Sequence, residues 1–421
     1  MTGADQGSTG TETEVINRAL DGLAEAMVAL RRDIHAHPEL AWHEVRTSAL
    51  VANELERAGL APSSLPVGTG LVCDVVGTPD GPMVALRADL DALPIDDEKD
   101  APYRSSTPGV AHACGHDVHT AVVLGAGLGL ARLAAANQLP GRVRLVFQPA
   151  EEVLPGGALA ALEAGALEGV ARVFALHCDP RVDAGSVAVR TGPITGATDS
   201  VTVRLSGPGG HTARPQLTVD LVSALADVLA RTPALLSRRV DPRAGLSLVW
   251  GRVAAGSATN VIPEHGEASG SVRMLDPAVW EFAAHLVPDL IREIAAPYRA
   301  GVEIDYVRGV PPAMNDAEST GVFRSAAAAV LGPAAVKEAL QSMGAEDFAW
   351  FLDRVPGVLG RLGVRRPGTL EAPDLHRGDF DVDETAIDCG IRVLLAAALS
   401  ALRDPALSGR RGAGRTPPGP R

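Results

Sequence analysis

Apolar positions recur with helical spacing between residues 15 and 36 and again between 47 and 58, where Gly59 ends the run. Two strand-like runs follow, LVCDVVG (71–77) and MVALRADLD (83–91). The stretch VHTAVVLGAGLGLARLAAA predicts a helix, with Asp117 just ahead of it as its cap. RVRLVFQPAEE (142–152), the short helical GALAALEAG and ARVFALHCD (171–179) continue the alternation. Strands alternating with helices imply an α/β fold with a largely parallel sheet.

The pattern changes near residue 195. DSVTVRLSG, a helix over 219–230, GLSLVWGRV, EASGSVRML, a helix over 277–296 and the strand VEIDYVRG follow one another. That β-α-β-β-α-β order is ferredoxin-like α+β. Helix–strand alternation then resumes to about residue 403. We therefore expect a discontinuous domain from 14–194 and 311–404, with a second domain inserted over 195–310. Residues 1–13 and the Gly-, Pro- and Arg-rich tail 405–421 have little to bury and are expected to be disordered.

The length of 421 residues accommodates two domains with separate cores. No apolar run approaches the roughly 20 residues of a membrane span. The polar, acidic N-terminus lacks the basic and apolar regions of a signal peptide, which points to the cytoplasm. Four cysteines in so long a chain do not suggest a disulfide framework. A net charge of −13 argues against nucleic acid as a partner.

Against that background HACGHDVHT (112–120) is unusual, holding three of the eleven histidines and one of the four cysteines. Three apolar runs also end in polar chemistry: at Asp89 and Asp91, at Glu151 and Glu152, and at His177. In open α/β sheets the site lies beyond the carboxyl ends of the strands, so these groups converge there, within reach of Cys114 and His116. A thiolate, imidazoles and carboxylates together are the ligand set of borderline divalent metals such as Zn, Co, Mn or Ni. A zinc finger would need a second Cys/His pair at short spacing. A nucleophilic Cys would need one activating His, not surrounding acids that raise its pKa. In the pair Glu151–Glu152, one acid is able to bind metal while its neighbour stays free as a base.

These residues resemble peptidase family M20, the dinuclear metallopeptidases of the aminoacylase and carboxypeptidase type. The likeness is to their amidohydrolase branch of aminoacylase-like, hippurate and auxin-conjugate hydrolases. The matches are RRDIHAHPEL with Glu44 and Thr47, GTG (68–70), RADLDALP (87–94), HACGHD (112–117), FQPAEE (147–152), LHCDP (176–180), GPGGH (207–211), NVIP (260–263), SMGAEDF (342–348) and LHRGDFDVDE (375–384). The resemblance implies a catalytic α/β domain, an inserted lid that makes a homodimer, and two divalent metals per subunit. Carried onto this chain, it implies Cys114, His116, Glu152, His177 and His376 as ligands and Glu151 as the catalytic base. Other branches have His-x-Asp where this chain has Asp89-Leu90-Asp91. Asp89 and Asp91, with Asp117, then read as groups that orient ligands. His211 resembles the lid histidine that reaches the partner subunit's active site, and Asn260 a substrate contact. One departure is GGHTARPQ, with Gln216 where the branch often has a second histidine.

The implied reaction is hydrolysis of the amide bond of an N-acyl amino acid or related conjugate. A dipeptidase or carboxypeptidase of the same fold, or a non-catalytic metal- or ligand-binding homologue, is the alternative. His119 reads either as an orienting group or as a packed helix residue, and Cys178 as packed. Gly207, Gly209 and Gly210 form a turn that positions His211, not a phosphate loop. His35, His37 and His43 suit capping or packing. Arg273 is a candidate for a substrate carboxylate or for a surface ion pair.

Overall fold

The computed structural model describes residues 12–369 and 372–407. The chain forms two compact units, the smaller comprising Pro193–Met314 and Gln341–Ala349. The first helical pattern is two helices, Glu12–Leu20 and Leu23–Ala36, parted by Gly22 at φ 71°. Only a glycine adopts that left-handed angle without strain. The first helix begins inside the segment expected to be disordered, while residues 1–11 lie outside the described ones. At the other end Leu407 is buried against the core, and 408–421 lie outside the described residues.

The larger unit is built on an eight-stranded sheet. Its centre runs in the order Arg142–Gln148, Met83–Asp89, Arg172–Asp183, Gly357–Arg365, all parallel. Every residue of Met83–Asp89 is buried, as a strand covered on both faces requires. Leu71–Val76 joins antiparallel at one side. Register decides where chemistry emerges. Asp89 pairs with Gln148, and Arg87 pairs with Ala175, so His177 is level with Asp89. The strand carrying His177 does not stop there but continues to Asp183.

Two helices of this unit, His116–Ala135 and Thr385–Leu402, are long and apolar enough to cross a membrane by length and composition, contrary to our reading of the sequence. They are core helices: 72% and 78% of their apolar windows are buried inside the fold, where they pack on each other. Burial on all sides removes the need for a polar face.

The smaller unit has a four-stranded antiparallel sheet in the order Ser247–Ala255, His265–Met274, Ala197–Ser206, Gly301–Val310. Its helices Leu221–Arg239 and Pro277–Ala295 start at Asp220 and Asp276, whose carboxylates accept backbone N–H groups of the first turn. Along Ala197–Ser206, Val201, Val203 and Leu205 point inward on alternate residues. Gln341–Ala349 belongs here because the Ser342 N–H donates to Ile194 O at 2.9 Å.

Candidate metal centre

Cys114 closes a loop that enters helix His116–Ala135 through Gly115. Gly115, not Asp117, is the N-cap, at φ 85°. A Cβ there would lie 2.7 Å from Cys178 Sγ. Gly115→Ala therefore meets both a steric clash and a left-handed penalty of about 1–2 kcal/mol. It should lower the melting temperature and weaken metal retention against a chelator; wild-type values for both would contradict this account of the loop.

Asp117 sits inside the first helical turn. Its Oδ2 accepts from Arg31 Nε and His35 Nδ1, each at 2.7 Å. This buried network ties helix Leu23–Ala36 to the start of the metal-loop helix. His37 and His43 are exposed and bond to the carbonyls of Asp33 and Ala41. His112 is buried, and burial pushes its imidazole down to about 3, so it is neutral.

The larger unit brings the remaining groups together. Cys114, His116 and His177 offer ligand atoms within 4.8 Å of one another, as do Cys114, Glu152 and His376. Cys114 is common to both triads. His116, Glu151 and Glu152 form a third set at the same spacing. Cys114 Sγ is 3.5 Å from His177 Nε2, and His376 Nε2 is 3.2 Å from Glu152 Oε1. His376 reaches the cluster from a left-handed residue, φ 63°, whose N–H donates to Ala113 O at 2.8 Å.

Hydrogen bonds select which nitrogen of each ring is available. His116 Nδ1–H donates to Asp91 Oδ1 at 3.2 Å. Its Nε2 has no hydrogen-bond partner among the described residues and lies 3.8–3.9 Å from Asp89, Glu151 and Glu152 carboxylate oxygens. His177 Nδ1–H donates to the Cys178 carbonyl at 2.8 Å, leaving Nε2 toward Cys114. His119 is different. Nδ1–H donates to Asp89 Oδ1 at 2.6 Å, and Nε2 accepts the Cys178 N–H at 2.8 Å, so neither nitrogen is spare. His119 thus holds the backbone next to His177. Cys178 itself is packed, its Sγ beside the Gly115 carbonyl.

The acids are set from beneath. Asp91 accepts the N–H groups of Glu151 and Glu152 at 3.0 and 2.9 Å. Asp89 accepts from Arg87 at 2.7 Å, and Arg87 in turn donates to Gln148 at 2.9 Å. Burial would raise Asp89, but His116, His119 and Arg87 outweigh it and hold it well below the usual carboxylate range. Sequence reasoning passed over Arg87 and Gln148. The available signal was a charged residue within a strand otherwise apolar on both faces.

A divalent cation fits these residues. A buried imidazole nitrogen without a partner faces three carboxylates. Burial, then Glu152, pushes the Cys114 thiol well up, so the sulfur becomes a thiolate only beside a positive charge. Cys114, His116, Glu152, His177 and His376 would hold the metal.

Three residues singled out in the sequence lie in the smaller unit. His211 is exposed in the short strand Gly210–His211, paired with Val261–Ile262, and the Ala213 N–H donates to its Nδ1 at 3.0 Å. Asn260 precedes the partner strand, its carbonyl accepting the Thr212 N–H at 3.2 Å. Arg273 donates to the Met343 carbonyl at 2.6 Å and is not in a surface ion pair with any described residue.

Comparison with known proteins agrees with this chemistry. The Peptidase family M20/M25/M40 profile matches residues 85–400. A Rhodococcus jostii (strain RHA1) protein named for glutamate–cysteine ligase 2-3 is 48% identical over 93% of this chain, which spans about half (48%) of that protein's length. The N-acetyl-L-cysteine deacetylase of Bacillus subtilis (strain 168) is 35% identical, over 92% of this chain and 90% of its own. The crystal structure of Bacillus subtilis YXEP protein, a dinuclear metal binding peptidase from the M20 family, superposes with a TM-score of 0.79 at 32% identity. That match covers 90% of this chain and 98% of the other. The chain belongs to the M20/M25/M40 peptidase family.

Proposed function

We propose that this protein hydrolyses the amide bond of N-acyl amino acids or related amino-acid conjugates, using two divalent cations (Zn, Co, Mn or Ni) and Glu151 as general base. The single observation that carries this reading is Cys114, shared by two ligand triads, with a second acid beside them. The likeness to a deacetylase supports the substrate class.

When bound, the cations supply Lewis acidity, bringing the pKa of water from roughly 16 toward about 7 and polarising the amide carbonyl. Glu151 accepts the proton as the water oxygen bonds to the carbonyl carbon. It then delivers that proton to the amide nitrogen as the C–N bond breaks, releasing a carboxylic acid and an amine, and the acid's remaining proton passes to the amine to leave carboxylate and ammonium. Asp91 keeps Glu151 and Glu152 on course through their backbone N–H groups. His211 donates to the developing oxyanion, Asn260 contacts substrate, and Arg273 takes the substrate carboxylate. The smaller unit also forms the homodimer contact, so that His211 serves the partner's cleft.

Metal-stripped protein, reloaded in turn with Zn, Mn, Co or Ni, tests the reading against N-acetyl, N-benzoyl and other N-acyl amino acids alongside free dipeptides. Amine release from blocked substrates, dependent on reloading, is expected. Turnover confined to substrates with a free α-amino group would replace this reading with a dipeptidase.

A further inference from the structure

We propose that Glu44 is a positioning residue for Glu151: its buried carboxylate locks two left-handed residues, Trp42 and Ala150, and so fixes the turn from which Glu151 projects. The inference rests on the reading of Glu151 as the base.

Glu44 is fully buried at the start of helix Val45–Arg57, far in sequence from the metal cluster. Its Oε1 accepts the Trp42 N–H at 3.0 Å and the Ala150 N–H at 2.8 Å. Both donors sit at positive φ, 66° and 52°, in a chain where only five non-glycine residues among those described do so. A side chain crowds its own backbone at such angles, so the conformation persists only where its surroundings impose it. Ala150 immediately precedes Glu151, and its carbonyl accepts the Gly157 N–H at 2.8 Å.

Three successive N–H groups of this turn therefore end on two buried carboxylates. That of Ala150 goes to Glu44, and those of Glu151 and Glu152 go to Asp91. With Glu44 removed, the Ala150 N–H has no acceptor and the turn is free to relax toward extended backbone. Asp91 would still accept the Glu151 N–H, but the residue before it would no longer be fixed. Packing alone is a poor explanation for Glu44. Burial, together with the nearby Asp91, pushes its carboxyl up, an electrostatic cost that an apolar residue of the same size would not carry.

The test is a double-mutant cycle between Glu44→Ala and Glu151→Gln, reading kcat, KM, metal per chain and melting temperature on an N-acyl substrate. Glu44→Ala should lower kcat about 10- to 100-fold with KM and metal content near wild type, as a displaced catalytic group does. Glu44→Gln, which keeps a carbonyl acceptor for both N–H groups, should restore most of the rate. In a Glu151→Gln background Glu44→Ala should change little further, because the two act through one group. Additive losses, or a loss that follows metal content, would overturn the inference. If Glu44→Ala does not fold, Glu44→Asp, with its carboxylate withdrawn by one methylene, runs through the same cycle. A lowered kcat in Glu151→Gln with wild-type kcat in Glu44→Ala removes the inference alone. An unchanged kcat in Glu151→Gln removes the base, and the inference with it.

Discussion

Glu151→Gln should bind the same complement of divalent metal as the wild-type protein and turn over N-acyl amino acids about 10²–10⁴-fold more slowly, the usual worth of a positioned general base. The amide is nearly isosteric with the carboxylate, and Asp91 holds position 151 by its backbone N–H, which the substitution leaves in place. What is lost is the ability to take a proton. Glu151 belongs to neither triad that contains Cys114, so the ligand set survives. Metal analysis and steady-state kinetics on one preparation decide the matter. A rate within a few-fold of wild type, with metal bound, would remove Glu151 as the base.

Cys114→Ser should weaken metal binding strongly, because Cys114 is common to the triad with His116 and His177 and to the triad with Glu152 and His376. Serine keeps the shape of the side chain but not its chemistry: an alcohol gives up its proton far less readily than a thiol, and oxygen is a harder donor. Residues that merely orient ligands are worth about 10–100-fold in metal affinity or activity, so a shared ligand should exceed about 100-fold. Competition with a chelator measures the affinity directly. A serine variant that retains divalent metal as tightly as the wild type would end the proposal that Cys114 would hold it.

How much of this is legible before folding differs from residue to residue. The alternation of strand and helix, the acids Asp89, Asp91, Glu151 and Glu152 that follow apolar runs, and the placing of Cys114 and His116 two residues apart are local properties, carried by side-chain period and turn residues. The caps Asp220 and Asp276 are equally local, each bonding to N–H groups two or three residues on. Asp117 shows the limit of that logic. It has the chemistry and the place of a cap, yet Arg31 and His35, more than 80 residues away in sequence, claim its carboxylate. The two long apolar helices show it again, since composition alone does not distinguish lipid from a surrounding core.

Taken alone, the amino-acid order determined the fold class and the kinds of donor atom that each motif carries, because hydrophobic period and residue chemistry are written position by position. Only the tertiary structure decided which nitrogen of His116, His119 and His177 is left available, that Arg87 and Gln148 lie beneath Asp89, and that Glu44 reaches Ala150 across 106 residues. Those bonds join segments that meet only after the sheet has formed, and a hydrogen bond is specified by distance and direction in space, not by separation along the chain.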